Sequence, residues 1–280
     1  MRRITVYEPG SSFPSVSVTG TRCALSCDHC CGKYLKGMKD VSQKGALYNF
    51  GIDLWERNGS GILVSGGCDP FGAVDLPPHT FEDIRKLKEE TGLLINLHCG
   101  LVGERVASSI STSGVDKVSF DLVYDDITIR DVLHLDRRKE DFADTLRVLM
   151  RKGVDVVPHI LAGLDRGKIS WEYEAVDVLS KMNVDTVVLL ILIPTKGTPF
   201  QRSPPPPSSD ILDLAARMRN VLKGRLVLGC MRPKGYSGIE VKLLKMGFDG
   251  IVLPGRSTLR WMDSECPIVE RKSVCCSMDR

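Results

Sequence analysis

Ser15-Val16-Ser17-Val18-Thr19-Gly20-Thr21-Arg22-Cys23-Ala24-Leu25-Ser26-Cys27-Asp28-His29-Cys30 is the stretch from which the rest of the chain becomes readable. Five residues of β-forming character run directly into a loop carrying a CxxxCxxC triplet. Three thiolates so spaced can hold three corners of an iron–sulfur cube and leave the fourth iron without a protein ligand. A metal with an open position can then bind a substrate or cofactor. Zinc is the competing occupant. Structural zinc takes four ligands, however, and the local fourth candidates, Cys31 and His29, sit directly beside Cys30 in the chain.

Outward from this stretch, strand-like and helix-like segments alternate as far as Gly255. Strands are expected at Ser15–Thr19, Gly61–Ser65, Leu93–Leu97, Lys117–Phe120, Val154–His159, Thr186–Leu192, Arg225–Leu228 and Gly250–Leu253. Most are short apolar runs without alternation, as in parallel strands buried on both faces. Helices are expected at Gly45–Arg57, Thr80–Glu90, Glu104–Ser111, Phe142–Lys152 and Ser170–Met182. Two more carry clear signals: the stripe Ile211, Leu214, Ala215, Met218, Val221 and Leu222 stopped by Gly224, and the capping box Ser237 to Glu240. Eight strands with helices between them predict an α/β fold, a (β/α)8 TIM-type barrel, over an open doubly wound sheet. The residues after each strand then gather at one mouth, and the triplet follows the first strand. The predicted division is a lead-in over residues 1–12, the barrel over 13–257 and a cysteine-rich C-terminal extension over 258–280. The charged insertion Tyr124–Asp136 is expected to cover the mouth, and the run Ser203-Pro204-Pro205-Pro206-Pro207-Ser208 to act as a stiff spacer.

Composition narrows the function classes. The 280 residues carry a net charge of only +3, too small and dispersed to argue for nucleic acid. Met1-Arg2-Arg3 is followed by no apolar core of a signal peptide, and no run of about 18 apolar residues spans a membrane. A cytoplasmic protein is expected. Ten cysteines in a reducing compartment argue for metal or cluster ligation rather than disulfides.

At this point the residues resemble the radical S-adenosylmethionine superfamily. In that family a CxxxCxxC loop after the first barrel strand holds a [4Fe–4S] cluster, here through Cys23, Cys27 and Cys30. His29 fills the slot often taken by an aromatic. The resemblance implies that the open iron chelates S-adenosylmethionine, which is cleaved to a 5′-deoxyadenosyl radical that takes hydrogen from an unactivated carbon. Ser65-Gly66-Gly67-Cys68-Asp69 resembles the family's Gly-Gly-Glu segment, whose backbone receives the cofactor's amino group; Cys68 replaces the acid, which leaves backbone carbonyls or Asp69 for the role. Ser119 and Asp121 resemble a Ser-x-acid pair that contacts the ribose, and Ile160 through Gly163 a segment that packs on adenine. Ile193-Pro194-Thr195-Lys196-Gly197-Thr198-Pro199-Phe200 is similar to the Pro-x-x-Gly-Thr-Pro segment of biotin synthase and its relatives.

Cys230, Cys266, Cys275 and Cys276 are then left as candidate ligands of a second, auxiliary iron–sulfur cluster able to donate sulfur. The pattern most resembles a subunit of the two-component lipoyl synthases of archaea and some bacteria. That resemblance implies sulfur insertion into an octanoyl chain on a lysine of a carrier protein or lipoyl-type domain. Its implied partners are a second radical S-adenosylmethionine subunit and an electron donor such as ferredoxin or flavodoxin. A radical enzyme without sulfur transfer, biotin synthase-like or a carbon-skeleton mutase, and a non-catalytic iron–sulfur or zinc protein remain as alternatives.

Overall fold

The computed structural model describes residues 3–233, 235–266 and 268–278, apart from the side chain of Ser237, on which the predicted capping box depends. Among these residues eleven strands are formed: β1 (Arg3–Tyr7), β2 (Ser15–Ser17), β3 (Lys39–Asp40), β4 (Gly61–Ser65), β5 (Leu94–His98), β6 (Lys117–Asp121), β7 (Val156–Ala162), β8 (Thr186–Ile191), β9 (Arg225–Leu228), β10 (Gly250–Val252) and β11 (Ile268–Lys272). The helices are α1 (Ala46–Glu56), α2 (Pro78–Glu90), α3 (Glu104–Thr112), α4 (Asp126–Asp131), α5 (Lys139–Arg151), α6 (Glu172–Ser180), α7 (Ser208–Val221), α8 (Ser237–Lys245) and α9 (Arg256–Glu265). All strands lie in one parallel sheet in the order β11-β1-β10-β9-β8-β7-β6-β5-β4-β2-β3. From β4 to β10 each strand is followed by its helix and then pairs with the next, the βα progression of a TIM-type barrel. The sheet curls as a half-barrel. Among the described residues its edge strands, β3 and β11, pair only with β2 and β1 respectively.

The eight expected strands are β2 and β4 to β10. Three further strands extend the sheet. β1 lies within the expected lead-in and pairs with β10 in the register Thr5–Gly250 and Tyr7–Val252. β11 lies in the expected tail, as does most of α9, and lies against the other side of β1. The charged insertion contains α4, whose Asp125 accepts a hydrogen bond from the Thr128 amide and caps the helix.

Two apolar cores follow from the period of two along each strand. Ile62, Val64, Ile95, Leu97, Val118, Phe120, Val156 and Ile160 face the helices. Facing the lumen, Tyr7, Val157, Val188, Leu190, Val227 and Val252 form a smaller core, closed by Cys276 from the segment after β11. That segment, residues 273–278, runs into the half-barrel, where Val274, Cys275 and Cys276 pack on the small core and Ser277 bonds Ser119. The Ser60 hydroxyl donates to the Ser273 carbonyl at 2.5 Å where it enters.

Candidate active site

The triplet loop is a series of tight turns fixed from three sides. The amides of Cys30 and Cys31 both donate to the Cys27 carbonyl, at 3.0 and 2.8 Å, and fold the eight-residue motif on itself. Ligand atoms of Cys27, His29 and Cys30 thereby lie within 4.8 Å of one another. Cys30 is lowered to about 4, first by a hydrogen bond from the Cys27 thiol and further by His29, against the effect of burial. Cys27 is pushed up, first by that same bond and then by burial. The Nδ1 atom of His29 is buried without a hydrogen-bond partner among the described residues. Cys31, with φ +45°, turns out to solvent and away from the group.

From outside, the Asp28 amide donates to the Val132 carbonyl at 2.9 Å, and the Asp28 carboxylate meets His134 Nε2 at 2.8 Å and Arg166 at 3.6 Å. The insertion after β6 thus clamps the loop from the side. On the other side lies the Pro-x-x-Gly-Thr-Pro segment. Lys33 Nζ donates to the Lys196 carbonyl, the Tyr34 and Thr195 hydroxyls share a bond, both at 2.8 Å, and the Phe200 amide donates to the Asp28 carbonyl. This segment is a strut for the triplet loop.

The Gly66-Gly67 turn after β4 is the third support. Thr19 Oγ1 accepts from the Gly67 amide at 2.8 Å, Cys23 Sγ accepts from the Cys68 amide at 3.3 Å, and the Cys68 carbonyl accepts from Ala24 at 2.7 Å. A Cβ on Gly67 would lie 2.0 Å from the Arg22 carbonyl oxygen and 2.7 Å from Cys23 Cα. One on Gly66 would meet only the Thr19 and Val74 side chains, at 3.1 Å. Asp69 Oδ1 is occupied in its own turn, accepting from the amides of Phe71 and Ala73. Cys68 stays a thiol, pushed up to about 12 by burial and by Cys23.

Beneath the mouth the lumen has a polar wall on β4, β5 and β6, continued by the top of β7. Its upper layer is Ser65, His98, Asp121 and His159, and its lower layer Asn96 and Ser119. Ser65 Oγ lies 3.3 Å from His98 Nδ1, and the rings of His98 and His159 meet edge to face at 6.3 Å. Asp121 is exposed to the mouth and pairs in register with His159. Ser119 is buried, bonded to Asn96 and to the Ser277 hydroxyl at 2.8 Å. It is therefore closed off from the mouth that the ribose reading of Ser119 requires. The two histidines were not singled out in the sequence. Their signal is a histidine two residues after a lumen-facing position at the C-terminal end of an otherwise apolar strand.

After β7, Ile160 packs wholly in the outer core, one residue out of phase with the lumen, where Leu161 faces instead. Gly163 has φ +89°, and its amide donates to Glu172 Oε1 at 2.8 Å. The other oxygen of this buried carboxyl accepts from the Ser170 amide. Burial raises Glu172 to about 7. Pro206 lies against Gly163 and the Pro204 carbonyl against Gly167, so the proline run is packed onto this loop as well as spanning it.

No family model matches the sequence. Among curated proteins the chain is similar to a biotin synthase of Chlorobium phaeobacteroides, 25% identical over 206 residues, covering 71% of this chain and 60% of that protein. A biotin synthase of Desulforudis audaxviator is 29% identical over 165 residues, covering 57% and 48%. The chain therefore spans about half to three fifths of the length of these relatives. Among solved structures it superposes on methylornithine synthase PylB with a TM-score of 0.62 at 18% identity, covering 97% of this chain and 79% of that one. The hydrogenase maturase HydG gives 0.64 at 15%, covering 90% and 57%. SuiB of Streptococcus suis, solved with S-adenosylmethionine bound, gives 0.60 at 13%, covering 81% and 52%. The chain is thus similar in sequence to biotin synthases and shares the fold of these solved structures.

In this fold the four remaining candidate cysteines do not form one group. Cys266 caps the C-terminal end of α9 and packs on the outer core, across the sheet from the other three. β11 intervenes between it and the segment that enters the lumen. Cys230, Cys275 and Cys276 line one cavity of 530 Å³ together with Phe13, Ser15, Phe50, Leu63 and Val252. Cys275 Sγ accepts from Asn96 Nδ2 at 3.3 Å, and its thiol is lowered to about 6, first by a hydrogen bond from Cys276. No helix among the described residues is long and apolar enough to cross a membrane.

Proposed function

We propose that this chain is a radical S-adenosylmethionine enzyme that inserts sulfur at unactivated C–H positions. Cys23, Cys27 and Cys30 would hold a [4Fe–4S] cluster with S-adenosylmethionine beside it; together these supply, when bound, a carbon radical able to take hydrogen from such a bond. The donor set suits that group. The Cys27 and Cys30 sulfurs lie within 4.8 Å of each other, Cys23 accepts from the Cys68 amide, and Cys68 itself is held protonated behind them. Asp28, clamped by His134, Arg166 and Phe200, keeps the loop from moving as ligands come and go. The lumen walls keep bulk water from a reactive carbon.

The observation that carries the sulfur-insertion reading is the convergence of Cys230, Cys275 and Cys276 on one cavity within the half-barrel. These thiols would hold the second iron–sulfur cluster. The apolar lining of Phe13, Phe50, Leu63 and Val252 suits an alkyl chain, in keeping with an octanoyl group carried on a lysine of a carrier protein or lipoyl-type domain. A second radical S-adenosylmethionine subunit and an electron donor of the ferredoxin or flavodoxin kind complete the proposed system. The polar side chains of Ser65, His98 and Asp121 above that cavity favour a second reading, a radical enzyme that works on a polar substrate without sulfur transfer.

Iron, zinc and acid-labile sulfide analysis after anaerobic reconstitution tests the assignment. About eight irons per chain are expected for two cubes and about four for one. Zinc without sulfide would sink it. Single turnover with an octanoyl-lysine peptide, with and without the second subunit, separates the two readings: a thiolated product supports sulfur insertion, whereas 5′-deoxyadenosine without sulfur in the product supports the second.

A further inference from the structure

The cavity of 530 Å³ lies at the seam of the half-barrel, between the two ends of its sheet. On one side it is lined by Pro9 and Gly10, in the connection from β1 to β2, and on the other by Gly37 and by Lys39 of the edge strand β3. Gly10, Gly37 and Lys39 are exposed, whereas Phe13 and Val252 are buried deeper in. The cavity therefore has a lateral entrance, and its depth is apolar.

The charge around that entrance is of one sign. Residues 29–44 carry Lys33, Lys36, Lys39 and Lys44 against one acid, Asp40, and residues 186–209 carry Lys196 and Arg202 with no acid. Lys33 donates to the Lys196 carbonyl and Tyr34 bonds Thr195, so the two segments form one face. Six cations against one carboxylate exceed the net charge of the whole chain, +3, and leave the rest of the molecule net negative. Lys36, Lys39, Lys44, Lys196 and Arg202 are all exposed. Asp40 accepts from the Ser42 amide at 2.9 Å and has Arg22 and Lys39 as electrostatic neighbours. Beside the opposite rim, Glu8 is paired with Arg271 at 3.0 Å. Neither carboxylate offsets the face.

A positive face of this breadth matches an acidic protein surface, and an apolar entrance set in it matches a chain that such a protein carries. An electron donor would need the charge but not the entrance. A free fatty acid would need the entrance but only one of the cations. We propose that the face formed by residues 33–44 and 196–202 docks an acidic protein domain, whose acylated lysine enters the cavity from the side, between Gly10 and Lys39. This rests on the sulfur-insertion reading above and names the surface that receives its substrate.

Three probes test it with the reconstituted protein and S-adenosylmethionine. They are an octanoylated lipoyl-type domain with an acidic surface, the same domain with its surface glutamates changed to glutamine, and an octanoyl-lysine peptide of no net charge. Lys36→Glu/Lys44→Glu changes two cations that do not line the cavity. Stopped-flow association of the acidic domain should slow about tenfold at low salt in this variant, and high salt should remove most of the difference. The neutralised domain should associate equally with the variant and wild type, and peptide affinity, read by equilibrium dialysis, should not change. Lys36→Arg/Lys44→Arg, which keeps both charges, should behave as wild type. No slowing at low salt, or equal slowing of the acidic and neutralised domains, would overturn the proposal. So would a variant that slows cluster reduction by an acidic flavodoxin while domain association is unchanged, because the face would then belong to the electron donor. In each of these cases thiolation of the peptide by wild type with the second subunit still upholds the underlying reading. Wild type that thiolates neither peptide nor domain would overturn both.

Discussion

Gly67 shows how the site depends on single atoms. The turn after β4 approaches the triplet loop backbone to backbone, so a methyl group there meets a carbonyl oxygen and an α-carbon, neither of which can rotate away. Overpacking of this kind costs ~1–3 kcal/mol, concentrated at the loop that presents Cys23. Gly67→Ala should lower the unfolding temperature and the reconstituted iron content together. Gly66→Ala, which meets only two side chains, should do much less of either. Equal iron content in Gly67→Ala and wild type would show that the loop tolerates displacement. The contrast also separates two roles that the sequence leaves merged. A Gly-Gly pair beside a cysteine loop reads as a place where a cofactor comes close; here the amides of Gly67 and Cys68 are already bonded to Thr19 and Cys23.

Among the connections between elements, the loop after β7 is organised by one buried carboxyl on α6. Glu172 rises from 4.5 to about 7 on folding, so the folded state holds its proton more tightly than the unfolded chain. Its favourable contribution is complete below about pH 4.5, declines as pH rises through 7, and levels off above. The span is about 3 kcal/mol. Unfolding by urea at several pH values should show wild type losing stability across that window. Glu172→Gln should be flatter there, and a parallel slope in both proteins would assign the dependence to another group. Such an acid is invisible in the sequence, where it reads as one more first-turn glutamate. The strands β4 to β10 were legible because buried parallel strands are apolar without interruption. β1 is not, because the basic pair Arg2-Arg3 at its start reads as the head of a targeting segment, and β11 is not, because an edge strand carries Glu270, Arg271 and Lys272 in the manner of a solvent loop. The triplet was legible through spacing alone. The lumen histidines needed the strand register that only the fold supplies.

Across the whole molecule, the cysteines sort by the side of the sheet they occupy. Cys266 faces the helices, and Cys230, Cys275 and Cys276 the lumen. Cys266→Ala should therefore leave iron and sulfide at wild-type levels. Replacing Cys230, Cys275 and Cys276 together should remove about one cluster's iron while 5′-deoxyadenosine is still formed. Unchanged iron in the triple variant would dismiss the auxiliary cluster, and loss of iron in Cys266→Ala would mean that the outer cysteine migrates inward on metal binding. The segment that brings in Cys275 and Cys276 has a further consequence. It furnishes the chamber while lying outside the βα repeat, and residues 274–277 touch the lumen through Asn96, Ser119 and the small apolar core. A lineage could therefore exchange what the chamber accepts by rewriting residues 273–278, with the strands and helices that guide folding left under their own separate selection.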